Sequence, residues 1–214
     1  MTVYFENLIL DFSKIQIKAD QDGLIPAYDV LVVQMPTNFF NLFSSKLFRA
    51  ILSNSKGVNN SSEVNENLCD YAAGLFENAA AYCGFYTGLG IINSDEFQSL
   101  LGFPDRHSKE TLCGLFAVSV SWGWGDFEIT ELIPYERMVL RAYDYYESDV
   151  KYTYKPQKGF AYMITGVCRA FMDIVYNSPT YKLGGFRCEQ TKGIELGDEY
   201  GEFVTTRTRE EWEQ

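Results

Sequence analysis

His107 is the single histidine of this 214-residue chain, so a Ser/His/Asp or Cys/His triad would have to use it. It lies in Pro104-Asp105-Arg106-His107-Ser108, a polar turn ahead of a helix cap, which predicts a solvated loop side chain. No G-x-S-x-G occurs, and no Gly-rich phosphate loop follows a strand. Acidic residues are the next candidates for proton transfer. Glu128, Glu131 and Glu136 fall on a predicted hairpin, and Asp144, Glu147 and Asp149 fall in the run YDYYESD. Alternation puts Glu128 on the face opposite Phe127 and Ile129, in water, and YDYYESD reads as a solvated strand end. Nothing singles out a carboxylate pair for catalysis. The five cysteines are Cys69, Cys83, Cys113, Cys168 and Cys188. Their odd number and the lack of any C-x-x-C predict reduced thiols, without a disulfide framework or a zinc ribbon. A non-enzymatic protein is the expectation.

Aromatic residues make the stronger pattern. Trp122-Gly123-Trp124-Gly125 sets two indoles between two glycines where a helix pattern gives way to a strand pattern. The glycines permit a tight turn, so the indoles either pack a corner of the core or close one end of a cavity. Phe76, Tyr86, Trp122, Trp124, Tyr143 and Tyr162 are the candidate ligand-binding residues. Buried rings supply apolar area, and Tyr and Trp add a polar handle that orients a hydroxyl or carboxyl group. The net charge of −11 speaks against phosphate-backbone binding and a polybasic membrane patch. The expected ligand is therefore an uncharged or weakly anionic aromatic or apolar molecule.

The elements that must position these residues follow from periodicity. Residues 3–18 alternate through Leu8, Leu10, Phe12, Ile15 and Ile17, which predicts one or two strands before a turn at Asp22-Gly23. Residues 28–35, YDVLVVQM, form the best strand candidate. Thr37 or Asn38 then caps a helix carrying Phe39, Leu42, Phe43, Leu47 and Ile51. Residues 53–67 are polar and read as a loop, in which Asn59-Asn60-Ser61-Ser62 holds glycosylation sequons. A helix over residues 68–86 has one stripe of Leu68, Ala72, Leu75, Ala79 and Tyr82. A face of Ala73, Ala80 and Gly84 lets another backbone come close, and Gly88 and Gly90 are expected to end the helix. Ser94 and Ser108 cap two further helices. Strands are predicted at 124–132 and 138–143, around the turn Pro134-Tyr135-Glu136-Arg137. A helix starts at Gly159 and carries Phe160, Met163, Ile164, Val167, Phe171, Ile174 and Val175, followed by strands at 183–191 and 202–206. Strands, helices, hairpin, helix, strands is the order of an α+β fold with an antiparallel sheet packed by helices, not of a βαβ repeat. No run of 18 apolar residues is present for a membrane span, and the N-terminus lacks the pattern of a signal peptide.

Residues 160–203 resemble the C-terminal half of the 4-vinyl reductase domain, also called a hydrocarbon-binding domain. Gly166 sits in the helix, Cys188 follows the strand, and Gly197-Asp198-Glu199-Tyr200-Gly201-Glu202-Phe203 resembles the final turn and strand. Residues 141–147, RAYDYYE, resemble the family's Tyr-Tyr-Glu-like run. The segment from Asp22-Gly23-Leu24-Ile25 to Leu47 is similar to what precedes this domain in aromatic-responsive transcription activators. The resemblance implies a TRAPP-like α+β fold and dimerisation, and in the activators the domain binds a phenolic or aromatic hydrocarbon. It divides the chain into a strand extension (1–27), a hydrocarbon-binding domain (28–207) and a charged tail (208–214). The activators also hold zinc with three cysteines and a glutamate. Those positions fall at Ala161, Gly185, Cys188 and Gly201, where only Cys188 offers a ligand atom, so no structural zinc and no cofactor are expected.

The reading is a cytoplasmic sensor or carrier of an aromatic or other apolar small molecule, a homodimer with no nucleic-acid partner. The rivals are a TRAPP-like protein–protein interaction module and an accessory protein or enzyme of tetrapyrrole or aromatic-acid metabolism.

Overall fold

The computed structural model describes residues 2–15, 17–34, 36–54, 62–148, 161–177 and 182–208. Six helices and two antiparallel sheets are seen among them. The elements are α1 (Thr2–Phe12), β1 (Ile25–Ala27), β2 (Val30–Val32), α2 (Thr37–Asn54), α3 (Ser62–Asn93), α4 (Asp95–Leu101), α5 (Lys109–Ser121), β3 (Gly125–Ile133), β4 (Arg137–Tyr145), α6 (Tyr162–Tyr176), β5 (Phe186–Lys192) and β6 (Gly201–Arg207). The main sheet has the order β3-β4-β6-β5, all antiparallel. This is the α+β architecture that the order of sequence patterns predicts.

α5 lies at the centre. Every residue from Thr111 to Ser119 is buried, so the helix has no solvent face. Ser108 caps it by accepting from the N–H of Thr111, and Ser94 caps α4 through the N–H of Phe97. α6 spreads apolar residues over its faces, and Ile164, Phe171 and Ile174 join the core with Phe116 and Phe127. Phe116 meets Phe171 and Phe127 edge-on, with centroids 5.2 and 6.4 Å apart.

α3 and α6 pack backbone to backbone. A Cβ added to Gly84 would stand 2.8 Å from Val167 Cγ2, and one on Gly88 2.6 Å from Ile174 Cδ1. From the other side, a Cβ on Gly166 would meet the carbonyl oxygen of Glu77 at 2.5 Å. Small residues here permit a close seam. The expected stop at Gly88 and Gly90 is therefore corrected: the helix continues to Asn93, because those glycines serve close approach rather than termination. The stripe 68–82 is also mixed, since Ala72 is buried while Leu75 and Tyr82 are exposed.

The strand expected over residues 3–18 is corrected too, and with it the strand character of the 1–27 extension. α1 is a helix whose Phe5, Leu8 and Phe12 share one buried face against α4 and α5. Those three residues follow the helical period, which prevails over the alternation of Leu8, Leu10 and Phe12. The expected turn is present, with Gly23 at φ +79° and Asp20 Oδ1 accepting from Asp22 and Leu24 N–H. Residues 28–35 do not make one strand. Tyr28 stands at φ +56° in a turn, and only Val30–Val32 pair, in a hairpin separate from the main sheet. The loop expected over residues 53–67 is corrected as well: α2 runs on to Asn54 and α3 already begins at Ser62. Leu68 and Ile51 side chains, Gly159, Phe160, Asp149, residues 55–61 and all of the tail but Thr208 lie outside the described residues.

Candidate functional site

α5 ends at the tryptophan corner. Trp122 follows its last turn and Gly123 takes φ +80°, which turns the chain into β3. A Cβ on Gly125 would strike the carbonyl oxygen of Asp144 at 2.5 Å, so β3 and β4 come close at this end. β4 runs straight into a 3₁₀ turn, Tyr146–Ser148, and the N–H of Tyr146 donates to the carbonyl of Trp124 at 3.2 Å. α2 reaches the same place from outside, where Asn41 Nδ2 donates to the Tyr146 carbonyl at 2.8 Å.

Between these pieces lies a cleft of about 860 Å³. Gly123, Gly125, Asp126, Tyr143 and Asp144 line it. So do Tyr145, Tyr146 and Ser148, together with Val120, Ile194, Thr37 and Glu199. Its size suits a small molecule.

Tyr145 and Glu147, on either side of the cleft residue Tyr146, anchor a part-buried polar network. Glu147 is expected from sequence to be solvated, and this is corrected: it is 6% exposed. Its Oε1 and Oε2 accept from the N–H groups of Met163 and Ile164, both at 3.0 Å. Ala161 provides no side-chain cap to α6, so Glu147 supplies one from a distant segment. Burial pushes the Glu147 carboxyl up to about 8, against the two N–H bonds that favour its ionised form. Tyr145 donates its hydroxyl proton to Glu195 Oε2, and Gln190 Nε2 donates to Glu195 Oε1 at 2.7 Å. Gln190 Oε1 accepts from the N–H of Ala161 at 3.0 Å, which ties the network to α6. Burial and the Glu195 carboxylate hold the Tyr145 phenol well above its ordinary value. It therefore stays protonated and keeps donating.

His107 is half-buried rather than solvated: its Nδ1 donates to the Val175 carbonyl at 2.7 Å, a strut between the α5 cap and the end of α6. Glu128 also has a partner, accepting from the Tyr143 hydroxyl at 2.7 Å.

The six sequence-predicted ring residues are not gathered into one cavity. Tyr143 lines the cleft, and Trp124 meets the cleft residue Tyr146 edge-on at 6.0 Å. Trp122 packs on Tyr28 at 6.1 Å and is not among the cleft's lining residues. Phe76 stacks on Tyr162 at 5.6 Å between α3 and α6, and Tyr86 is exposed against Phe85. Sequence reasoning passed over Tyr146 and Glu199 in the cleft and Glu147 next to Tyr146. The Tyr-Tyr-Glu run was the available signal, but only its tertiary placement separates the outward ring from the inward acid.

The four positions implied for zinc do not converge. Gly185 pairs next to Thr208, beyond one end of β6, while Gly201 begins its other end. Seven residues of strand put them ~20 Å apart. Among the described residues no group of three or more His, Cys, Asp or Glu is arranged to hold a metal ion.

No protein-family model and no curated protein matches the chain. Solved structures do. The phenol-responsive sensory domain of the transcription activator PoxR, determined with phenol, superposes with a TM-score of 0.69 at 12% identity, over 98% of this chain and 92% of that one. The chain has the fold of that sensory domain. A trafficking protein particle complex subunit 3 from Naegleria fowleri, covalently bound to palmitic acid, aligns with a TM-score of 0.48 at 16% identity, over 81% of this chain and 95% of that one. No helix of the described residues is long and apolar enough to cross a membrane.

Proposed function

We propose that this protein is a small-molecule-binding protein, a sensor or carrier, whose ligand has an aromatic or apolar body and sits in the cleft between the tryptophan corner and the 3₁₀ turn. The observation that carries the reading is the cleft itself: about 860 Å³, lined by Tyr143 and Tyr146 and adjoining Trp124. The fold shared with a sensory domain described with phenol supports it. Of the six candidates, Tyr143 lines this cleft and Trp124 adjoins it through Tyr146, while Phe76, Tyr86, Trp122 and Tyr162 are not among its lining residues. Titration with phenol, cresols and benzoate, followed by indole emission, tests the reading. A saturable change in emission that is lost in Trp124→Phe is the expected result. No change up to millimolar concentration overturns it.

We also propose that the protein works in the cytoplasm as a homodimer. The Ala73, Ala80 and Gly84 face is not the interface, because Ala80 and Gly84 pack inside against α6. α2 is the better surface. It exposes Phe39, Leu42, Phe43 and Leu47 and buries Asn41 and Ser45 instead. The same exposed face favours, as a second reading, an interaction module that binds a different protein. Sedimentation of the purified protein decides between a homodimer and a monomer awaiting another partner.

A further inference from the structure

Tyr146 lines the cleft, and its ring stands beside two others. Trp124 meets it edge-on at 6.0 Å, and so does Phe40 of α2 at 6.3 Å. Its backbone is held by the same two elements. The Tyr146 N–H donates to the Trp124 carbonyl at 3.2 Å, and the Tyr146 carbonyl accepts from Asn41 Nδ2 at 2.8 Å. α2 is thus bonded to a cleft residue. It also contributes one, since its first residue, Thr37, belongs to the lining.

Asn41 is an unexpected residue to bury on this helix. It is 8% exposed, while Phe39, Leu42 and Phe43 around it are exposed. Burying an amide is costly unless it is hydrogen-bonded. An apolar side chain here would supply burial without direction, whereas the amide sets the distance and angle at which α2 meets Tyr146. The two ends of that bond differ in how firmly they are held. Tyr146 follows β4 directly, and both its neighbours are anchored. Tyr145 donates to Glu195 and accepts from the Ile194 N–H at 3.1 Å, and Glu147 caps α6. α2 meets this frame through Asn41 and Phe40, so a displacement of Thr37 or of the Tyr146 ring by a bound molecule is taken up by α2.

We propose that Asn41 is a positioning residue of the cleft, through which the placement of α2 and the occupation of the cleft are coupled; this rests on the cleft being the ligand site. Such coupling is reciprocal: a molecule that binds with Thr37 and Tyr146 in place holds α2 more firmly, and loosening α2 weakens binding by the same factor. The stacked rings of Phe39 and Phe43, 6.1 Å apart, ride on the same helix, which carries the state of the cleft to the surface.

Amide hydrogen exchange of residues 39–47 in the full chain, with and without phenol, tests this, while indole emission follows binding. Phenol should slow exchange in α2 by about threefold or more. Asn41→Leu keeps the bulk and loses the donor. It should abolish that slowing and weaken phenol by about threefold to tenfold, the scale of one hydrogen bond, and Asn41→Gln, which keeps an amide, should restore part of both. If Asn41→Leu folds poorly, Asn41→Ser takes its place. A purely structural Asn41 would change the melting temperature and leave the phenol-dependent slowing intact, which overturns the proposal. Phenol binding without any slowing in wild-type α2 overturns it too and leaves the cleft as the site. Failure of phenol, cresols and benzoate alike to change indole emission overturns both.

Discussion

At the scale of single residues, Glu147 is the clearest case of a group whose role its neighbours decide. Its carboxyl is raised from 4.5 to about 8 in the folded protein. A raised folded value means that its contribution to stability is full below the unfolded value and is lost as pH rises through the folded one. The urea midpoint of the wild type should therefore fall from about pH 4.5 to about pH 8 and level off above that, by on the order of a few kcal/mol in stability. Glu147→Gln should flatten the profile over that window. Glu147→Ala should instead lose about 1–3 kcal/mol, because two N–H groups at the start of α6 are left unpaired. The buried Cys113 thiol is pushed up to about 11 and so does not titrate across the same window. Asp173 behaves likewise at lower pH: burial raises its carboxyl to about 6 although the Gly184 and Gly185 N–H groups bond it. Asp144→Asn should raise stability by a few tenths of a kcal/mol by relieving its opposition to Asp126, read as a higher melting temperature. None of these roles was legible in the sequence. YDYYESD looks solvated because the acid that turns inward and the acids that stay in water are chemically alike. The difference lies in which of them meets the start of α6.

At the scale of elements, legibility followed local signals. α4 and α5 were readable from serine caps, and β3, β4, β5 and β6 from period-2 patterns between turns, because the relevant physics is contained within a few residues. α1 was not, since its sequence carries both periods and only packing on α5 selects the helical one. The end of α3 was not, since a glycine at a helix stop and a glycine at a helix seam are spelled alike. The seam makes a sharp pair of expectations. Gly166→Ala would press a methyl into the backbone of α3, with Glu77 O at 2.5 Å and Ala81 N at 2.7 Å, neither of which is a yielding side chain. It should cost about 1–3 kcal/mol. Gly74 lies in α3 with nothing within 4 Å of its added Cβ, so Gly74→Ala should stabilise by about 0.5–1 kcal/mol through helix propensity. Urea denaturation of both variants checks the pair, and shifts of the same sign would refute the account of the seam.

At the scale of the whole molecule, the antiparallel α+β plan was legible from the order of patterns, whereas the cleft was not, because α2, the tryptophan corner, the 3₁₀ turn and the loop before β6 meet only in three dimensions. The exposed α2 face gives the prediction proper to this scale. Phe43→Ser with Leu47→Ser should shift the sedimenting species from dimer toward the 24.5 kDa chain without lowering the melting temperature of the protomer by more than ~1 kcal/mol equivalent, since both side chains already stand in water. An unchanged sedimentation coefficient would remove α2 from the interface. The enclosed position of α5 has a consequence in time. From Thr111 to Ser119 no side chain reaches the surface, and other elements cover every face. Deuterium can replace the amide hydrogens of that stretch only when the surrounding layers part together. Their exchange rate is then a clock for opening of the entire protomer, while the three-residue β1–β2 hairpin, joined to no larger sheet, exchanges by local fraying long before that clock moves.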